Sequence, residues 1–210
     1  MSGKQEVTLI AATPNPMDVI AVAAGCCYGK RDKSWKRVRT CFKAGHMSVF
    51  EHPCATLYLS GLSRVCSHQL VRHRIGVAFN QQSQRYCEVD VDSDDWYVTP
   101  PEFDGVRQDS EGYDIDREWF GDRMYEHGRA YTRALEAGIK PEDARYLLGE
   151  AACTELVMTM NVREFFHFFD LRQSQAAQWE IRDLAHAIED ALMDYDEQWR
   201  ELMMLRRDAR

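Results

Sequence analysis

The spacing of apolar and polar side chains predicts three strands in this chain. In residues 55–60 every second side chain is apolar, and Gly61 ends the run. Residues 154–160 alternate in the same way, and residues 7–11 form a short apolar run before a Pro-Asn-Pro breaker. A period of two is typical of a strand with one buried face, and proline ends such a run. Residues 83–98 mix strand-forming with loop-forming positions.

Apolar residues at intervals of three and four predict helices along the rest of the chain. The clearest stripe runs from Ile181 to Trp199, and Gly45 and Gly138 follow two other segments as helix ends commonly require. The predicted helices cover residues 17–27, 35–44, 62–73, 117–137, 140–148, 161–170 and 178–205. Because the strands follow no regular βαβ rhythm, we predict an α+β fold. It would be a single domain over residues 1–210, with a small, mostly antiparallel sheet flanked by long helices.

The formal net charge of −8 comes from one acidic segment. Residues 88–118 hold twelve acids against Arg107 and Arg117, and the remainder of the chain is close to neutral. Proline and glycine recur in this segment, so we expect it to lie on the surface. A chain that is acidic overall, with basic residues in local clusters, favours a small anionic ligand and argues against a nucleic-acid partner.

The chain lacks the features of membrane and secreted proteins. No run of about 18 apolar residues is present, so we expect no transmembrane helix. Residues 1–6 lack the apolar core of a secretory signal, and we expect a cytoplasmic protein. The seven cysteines are scattered without a Cys-x-x-Cys pair, which argues against a disulfide framework and a structural zinc site. We predict no metal.

The densest polar cluster lies at the C-terminal end of the third predicted helix, where Gln69, Arg72 and His73 share one helix face. Arg72, His73 and Arg74 are costly to bury without an anionic partner, and the arginine fork matches phosphate oxygens. Ser83 lies two residues before Arg85, and in an extended segment both side chains would share a face and hold one phosphate. A solvated basic turn with surface salt bridges would have the same composition, and residue types alone leave both alternatives open.

A second cluster lies nearer the C-terminus. Asn161 and Arg163 stand where a predicted strand gives way to a helix, a place where backbone N–H groups also favour anions. His167 follows Arg163 by four residues and shares its helix face. Packing among the neighbouring phenylalanines is the alternative for His167. Arg145 and Arg172 complete the set.

Other common chemistries lack their motifs in this sequence. Gly-x-Gly-x-x-Gly, the Walker A loop, His-Glu-x-x-His and Gly-x-Ser-x-Gly are all absent. A Rossmann dinucleotide site, a P-loop nucleotide site, a zinc protease and a serine hydrolase are therefore unsupported.

Several ordered blocks of the sequence resemble the flavin-dependent thymidylate synthase family, over most of the chain from about Val7 to Trp199. Blocks in a fixed order at compatible spacing are more specific than any single motif. The blocks are Phe50-Glu51-His52, Ser63 to Arg74, Gln82 to Tyr86, Glu142 to Arg145, Thr159 to Arg163, Leu171-Arg172 and Ala177 to Arg182.

Two features depart from the family's pattern. The family places seven residues between Arg-His-Arg and a serine, whereas eight, Ile75 to Gln82, separate Arg74 from Ser83 here. We place the extra residue in the Gly76-Val77-Ala78 stretch, so it concerns flavin contacts there and not the serine. Gln81 stands where many relatives have an acid, which bears on substrate contacts or proton handling.

The resemblance implies a homotetramer that holds FAD where subunits meet, with each active site drawing on several chains. The residues implied for FAD are His52, Cys54, Arg72, His73, Arg74, Gln81, Asn161, Arg163 and His167. The residues implied for dUMP are Gln69, Arg72, Gln81, Gln82, Ser83, Gln84, Arg85, Arg145 and Arg172. The arginines agree with both ligands, since FAD carries a pyrophosphate and dUMP a monophosphate.

The activity implied by the resemblance is methylation of dUMP at carbon 5. NADPH would reduce FAD, methylenetetrahydrofolate would donate a one-carbon unit, and the reduced flavin would supply the electrons. The catalytic candidates are Arg172, Ser83 and His52. Arg172 would stabilise negative charge that develops on the uracil ring. Ser83 would bind phosphate instead of acting as a nucleophile, and His52 would lie near the flavin.

Three other interpretations remain beside this one. The first is an enzyme of the same fold that methylates or hydroxymethylates another pyrimidine nucleotide, such as UMP. The second is a non-catalytic protein that binds a nucleotide or a flavin. The third, a nucleic-acid-binding module, fits the acidic charge balance least well.

Overall fold

The structure, a computed structural model, describes residues 5–208. Residues 1–4, part of the segment that lacks a secretory signal, lie outside the described residues. The described strands are β1 (Glu6–Ala12), β2 (Cys54–Ser63), β3 (Val77–Gln81), β4 (Arg107–Gln108), β5 (Asp114–Ile115) and β6 (Cys153–Asn161). The described α-helices are α1 (Pro16–Cys26), α2 (Trp35–Lys43), α3 (Arg64–Leu70), α4 (Arg117–Glu136), α5 (Pro141–Ala144), α6 (Val162–Arg172), α7 (Trp179–Tyr195) and α8 (Glu197–Arg207). Short 3-10 helices cover Met47–Glu51, Pro101–Asp104 and Arg145–Leu147.

Four strands form one sheet, in the order β1-β2-β6-β3. In β2, Ala55, Leu57 and Leu59 are buried and alternate with more exposed side chains, and Met158 and Met160 repeat this pattern in β6. Both segments are therefore strands with one buried face, as their period of two predicted. With the helices, this sheet confirms the α+β class.

The helix predicted for residues 62–73 is shorter than its pattern indicated. Strand β2 continues through Gly61, whose φ of 67° moves the buried face from Leu59 to Leu62, as a glycine at a bulge does. The Ser63 Oγ then accepts a hydrogen bond from the Cys66 N–H (3.0 Å), in the manner of a helix N-cap. The polar side chain at the end of the strand therefore sets where α3 begins.

The basic triplet that we predicted on a helix face lies in a turn. Helix α3 ends at Leu70, and the His73 N–H donates to the Leu70 carbonyl oxygen (3.1 Å) in a tight closing turn. Arg72 and Arg74 flank His73 and are exposed, whereas the His73 side chain is buried. The triplet therefore has two cations that face solvent and one buried imidazole between them.

The helix predicted for residues 178–205 is two helices, α7 and α8, which meet at Asp196. The backbone of Asp196 is extended (φ −154°, ψ 168°), and its side chain accepts a hydrogen bond from the Trp199 N–H (2.7 Å). Aspartate favours such an N-cap over a helix interior. Leu192 and Trp199 are both fully buried, so the apolar stripe runs across the break without revealing it.

The described chain divides into two compact units. The first unit comprises residues 5–6, 60–68 and 81–156. The second unit comprises residues 7–59, 69–80 and 157–208. The prediction of a single domain stays a prediction.

The core of the first unit forms around α4. Met124 and Tyr131 of this helix cluster with Trp96 and Leu148. Trp96 anchors the acidic segment, and most side chains of residues 99–118 are exposed, as predicted. That stretch contains β4 and β5, which pair as a small antiparallel hairpin.

The core of the second unit is helical and aromatic. Phe165, Phe168 and Phe169 of α6 are fully buried, and the Phe165 ring meets the Trp199 ring edge-on at 6.4 Å between centroids. Helices α7 and α8 pack against each other, and α1 packs against α2 and α8. Among residues 5–208, no helix combines the length and the apolar character that crossing a membrane requires.

Candidate active site

Strand β6 passes directly into α6 at Asn161, where the sequence predicted a strand-to-helix junction. The Asn161 Oδ1 accepts a hydrogen bond from the Glu164 N–H (2.9 Å), so Asn161 is the N-cap of α6. The Asn161 N–H donates to the carbonyl oxygen of Gly76 (2.9 Å). These bonds hold the start of α6 against the loop that follows Arg74.

Gly76, in the stretch where we placed the extra residue, meets two requirements that only glycine satisfies. Its φ of 71° lies in the left-handed region. A Cβ at this position would also lie 2.1 Å from the Asn161 Nδ2, which is closer than non-bonded atoms approach. The loop therefore packs against the Asn161 cap of α6 so closely that Gly76 has no room for a side chain.

Replacing Gly76 with alanine is expected to lower the free energy of unfolding by about 2–4 kcal/mol, from backbone strain together with disruption of the Asn161 cap. Gly29→Ala is the matched control, because Gly29 has a similar φ of 64° and open space where its Cβ would stand. That control should lose only about 1–2 kcal/mol of strain. Urea unfolding followed by circular dichroism measures both. Equal losses would contradict the importance of the contact with Asn161.

Two neighbouring cavities of the second unit open beside α6. The first is about 230 Å³ in volume and is lined by Glu51, Ile75, Asn161, Arg163, Glu164 and His167. The second is about 270 Å³ in volume and is lined by Arg72, His73, Arg74, Ile75, Glu164, His167, Leu171 and Arg172. Ile75, Glu164 and His167 line both. The structure thus brings together most of the residues implied for FAD, and it places Arg172 with them.

The first cavity contains an ion pair between Arg163 and Glu51, both of which are about half exposed. Arg163 and His167 line the same cavity, as their spacing of four residues predicted. His167 is exposed, which argues against the alternative that it packs among the phenylalanines. A half-exposed ion pair contributes little to stability, so an anionic ligand could replace Glu51 at low cost.

The second cavity is built around a chain of hydrogen bonds through His73. The Arg172 Nε donates to the His73 Nε2 (3.1 Å), and the His73 Nδ1 lies 2.9 Å from the Glu164 Oε1. The His73 and Glu164 side chains are only 3% and 10% exposed. An Arg172 Nη group also donates to the Gln69 carbonyl oxygen (3.4 Å), so this substrate candidate contributes its backbone.

The pKa of His73 lies below the usual histidine value, so its ring is neutral at pH 7. Burial lowers it most, because the charged imidazolium loses its solvation. The hydrogen bond to Glu164 acts in the opposite direction, and the nearby charges of Arg172 and His167 lower the pKa further. A neutral ring has one donor and one acceptor nitrogen.

His73, Glu164 and His167 also place three metal-ligand atoms within 4.8 Å of one another. From the sequence we predicted no metal, because common metal-ligand motifs are absent and His73 lies 91 residues before Glu164. Both nitrogens of His73 already have protein partners, and the charge of Arg172 disfavours a cation beside it. Hydrogen bonding accounts for the group as it stands, and the absence of a metal stays a prediction.

In the first unit, Gln81 is held by two hydroxyl groups. Its Nε2 donates to the Ser67 Oγ and to the Thr154 Oγ1, at 3.1 Å in both cases. Thr154 also accepts a hydrogen bond from Arg64 (3.3 Å). The Gln81 amide donates to both hydroxyl oxygens. An ionised acid in its place could only accept hydrogen bonds, so it would need the two hydroxyl groups to act as donors. The Gln82 Nε2 donates a hydrogen bond to the Glu155 Oε1 (3.4 Å).

Ser83 and Arg85 do not lie in an extended segment, which corrects our expectation. The Ser83 carbonyl oxygen accepts hydrogen bonds from the Tyr86 N–H (3.1 Å) and the Cys87 N–H (2.9 Å), which close a turn. The Ser83 Oγ accepts from the Arg85 N–H (3.3 Å). Serine favours such local bonds to the backbone, and this preference outweighed the strand pattern. Gln84, within the turn, is buried.

Arg85 and Arg145 of the first unit both contact Glu142. Arg85 forms an exposed ion pair with the Glu142 carboxylate (2.9 Å), and the Arg145 Nε donates to the Glu142 carbonyl oxygen (3.0 Å). Burial lowers the pKa of the Arg64 guanidinium, and the charge of Arg145 adds to this effect. Arg85, Arg145 and Arg64 thus form the basic cluster of this unit.

His52 and Cys54 lie near the end of the Met47–Glu51 helix and are not among the residues that line the two cavities. His52 is exposed. The Cys54 N–H donates to the Thr13 Oγ1 (3.0 Å), and its thiol lies 3.8 Å from that oxygen. Their proposed places beside a flavin rest on the resemblance alone.

Comparison with known proteins gives the family. The family described as "Thymidylate synthase complementing protein" matches residues 8–195 of the chain. A flavin-dependent thymidylate synthase of Pyrococcus horikoshii is 37% identical over 192 residues, which are 86% of this chain and 76% of that protein. The flavin-dependent thymidylate synthase of Geobacter sulfurreducens is 38% identical over 191 residues, 86% of this chain and 78% of that protein.

Two solved structures resemble this one over nearly their whole length. The UMP/dUMP methylase PolB of Streptomyces cacaoi, bound with 5-Br dUMP, superposes with a TM-score of 0.77 at 25% identity, over 97% of this chain and 96% of that chain. Thymidylate Synthase X of Helicobacter pylori, with FAD and dUMP, superposes with a TM-score of 0.73 at 25% identity, over 95% of this chain and 97% of that chain.

Proposed function

This chain belongs to the flavin-dependent thymidylate synthase family, and we propose that it methylates dUMP at carbon 5 to give dTMP, with FAD as cofactor. The observation that carries the proposal is the cavity in which Arg72, Arg74 and Arg172 surround the buried His73. Phosphate-bearing ligands such as FAD and dUMP need cationic groups of this kind. NADPH is the reductant and methylenetetrahydrofolate the carbon donor.

The residues around the two cavities fit FAD. Arg72, Arg74 and Arg163 supply positive charge for its phosphates, while Asn161 and His167 offer polar groups. When bound, FAD supplies the electrons that convert the donated one-carbon unit into a methyl group. We propose that Gln81, His52 and Cys54 complete the flavin surroundings, as the family resemblance suggests.

Arg172 is the residue to which we assign charge stabilisation. Its Nε is engaged by His73 and one Nη by Gln69, and its remaining guanidinium N–H groups have no acceptor within residues 5–208. A guanidinium held in this way can donate hydrogen bonds to a uracil carbonyl oxygen on which negative charge develops. The hydrogen bonds to His73 and to the Gln69 carbonyl oxygen hold the guanidinium in place.

We propose that the basic cluster of the first unit binds the dUMP phosphate. The exposed pair of Arg85 with Glu142 contributes about 0–1 kcal/mol, so a phosphate can take the place of the carboxylate. The Ser83 Oγ is a hydroxyl group that can donate to a phosphate oxygen, and no histidine base contacts it in the described residues. The family resemblance implies Gln69, Arg72, Gln81, Gln82, Gln84 and Arg145 as further dUMP contacts.

We further propose that the protein acts as a homotetramer, with active sites that draw on several chains. Family resemblance supports this proposal, as it supports a cytoplasmic location. Light scattering coupled to size-exclusion chromatography measures the assembly. The mass of one 24.4 kDa chain in solution, with full activity, would contradict the tetramer.

The test of the proposed function is the release of tritium from dUMP labelled at carbon 5. The purified protein with FAD, NADPH and methylenetetrahydrofolate should release tritium only when all of these components are present. Omission of each component in turn is the control. NADPH oxidation by a flavin-bound protein that leaves dUMP unchanged would contradict this substrate.

UMP is a specific second candidate, because one of the similar structures is that of a UMP/dUMP methylase. Gln81, which replaces an acid of many relatives, also bears on the choice of nucleotide. Competition between UMP and labelled dUMP, followed by product analysis, separates the two substrates. A kcat/KM for UMP that equals or exceeds the value for dUMP would make UMP the substrate.

A further inference from the structure

Glu164 is a buried carboxylate in a helix that is otherwise lined with phenylalanines. Its side chain is 10% exposed, and it stands between Phe165 and Arg163 on α6. A buried carboxylate is costly unless its oxygens accept hydrogen bonds. The recorded partner of the Glu164 carboxylate is the His73 Nδ1, at 2.9 Å. This pairing therefore explains why a carboxylate is tolerated there.

The direction of the hydrogen bonds is fixed by Arg172. A guanidinium Nε can only donate, so the His73 Nε2 at 3.1 Å must be the unprotonated acceptor. The neutral ring then has its proton on Nδ1, and this proton is donated to the Glu164 Oε1. The ring also meets Phe168 edge-on at 5.1 Å between centroids, which restricts its rotation.

We propose that Glu164 is a positioning residue that keeps His73 in the Nδ1–H form and thereby aims Arg172 into the cavity. This role rests on the proposed function of Arg172 and concerns a residue outside the set that the family resemblance implied. Arginine has a long, mobile side chain, and an acceptor at its Nε reduces the conformations that its Nη groups can adopt. The three side chains form one line from a buried carboxylate to the cavity.

Without Glu164 the proton of His73 is no longer held on Nδ1. The proton of His73 would no longer have a buried acceptor at Nδ1, and the form with the proton on Nε2 would become competitive. In that form the Nε2–H and the Arg172 Nε–H would oppose each other as two donors. Arg172 would then turn away from the His73 Nε2, whereas FAD binding by the other arginines would persist.

The first test is the protonation state of His73 in the protein itself. Long-range proton–nitrogen correlation spectra of 15N-histidine-labelled protein, with His73→Gln for assignment, should show Nδ1 as the protonated nitrogen. In Glu164→Leu the protonated nitrogen should change to Nε2 or the ring should populate both forms. An Nε2-protonated His73 in the unsubstituted protein would overturn the proposal. This readout needs no activity, so it stands apart from failure of the proposed function.

The second test compares Glu164→Leu with Glu164→Gln, which keeps an oxygen that can accept the Nδ1 proton. Glu164→Leu should lower kcat by about 10–100-fold, with FAD stoichiometry unchanged and a KM for dUMP within about threefold. Glu164→Gln should restore kcat to within about fivefold, since only the charge is lost. Glu201→Leu is the control, because Glu201 is an exposed carboxylate of the same unit that pairs with Arg39.

The pH profile of Glu164→Gln is a further test, because a purely structural role of Glu164 would not shift the acid limb of the activity profile. Arg172 and His167 lower the pKa of His73, whereas Glu164 raises it, so removing the carboxylate's charge lowers that pKa further. His73 must be neutral to accept from Arg172, so activity should persist to lower pH in Glu164→Gln than in the unsubstituted enzyme. A kcat of Glu164→Leu equal to that of Glu201→Leu, or an unmoved acid limb, would overturn the proposal.

Discussion

Replacing Arg172 with alanine is expected to lower kcat by about 10²–10³-fold, the range seen when one preorganised donor to a developing oxyanion is lost. FAD should stay bound, because Arg72, Arg74 and Arg163 remain to meet its phosphates. Arg172 is anchored at Nε by His73, so its effect should appear in turnover more than in ground-state binding of dUMP. Tritium release and the flavin absorbance spectrum measure the two quantities separately.

Lysine at this position is the informative companion variant. It keeps the positive charge but loses the planar fork and the Nε donor to His73, so we expect most of the loss to remain. Arg200→Ala is the control, since Arg200 is an exposed arginine of the same unit whose partner Asp194 lies 3.8 Å away. Parallel loss of FAD and turnover in Arg172→Ala would contradict the assigned role and make Arg172 a binding residue.

The strands could be predicted because their information is local. Ala55, Leu57 and Leu59 alternate in the sequence and are buried in the structure. The errors fall where a single residue changes the chain's direction. Gly61 shifts the buried face of β2 through a positive φ, and Asp196 caps a new helix within an uninterrupted apolar stripe. Both effects depend on backbone geometry and on one hydrogen bond, which periodicity does not report.

In the candidate site, too, features set by local spacing could be predicted and features set by distant contacts could not. The pair of Arg163 and His167 could be predicted from a spacing of four residues, and both line one cavity. Glu164 could not, because its partner His73 is 91 residues away in sequence. Its proximity arises when the turn after α3 meets the start of α6. The predicted extended segment at Ser83 and Arg85 was wrong for a local reason. A serine hydroxyl competes with the strand ladder for backbone N–H groups.

The arginines of the second unit differ in their burial and in their hydrogen-bond partners. Arg72 and Arg74 are exposed beside a cavity, which suits a ligand that brings its own charge. Arg206 is the opposite case, because it is 3% exposed and forms hydrogen bonds with Glu189 (2.8 Å), Asp170 (2.8 Å) and Gln173 (2.7 Å). A cation that already has protein acceptors supports the fold.

Replacing Glu189 with leucine is expected to lower the free energy of unfolding by about 3–5 kcal/mol, because it leaves the buried Arg206 without its main counterion. The Glu189 side chain is 1% exposed and accepts hydrogen bonds from Arg206, Arg207 and Gln173. Burial raises the pKa of this carboxyl, but these hydrogen bonds together outweigh burial and hold the pKa below its usual value. Urea unfolding at pH 7 measures the loss.

The pH dependence of unfolding and a double variant separate charge from packing. Because the pKa of Glu189 is lower in the folded than in the unfolded chain, its contribution is present above the unfolded value and is lost as the pH falls through the folded one. The unsubstituted protein should therefore lose more stability in acid than Glu189→Leu does. Arg206→Met combined with Glu189→Leu should cost less than the two single changes summed, since no buried charge then remains unpaired. Additive losses would mean that the ion pair is not what stabilises the fold, and would point to the contact of the Arg206 guanidinium over the Phe169 ring (5.1 Å to the centroid).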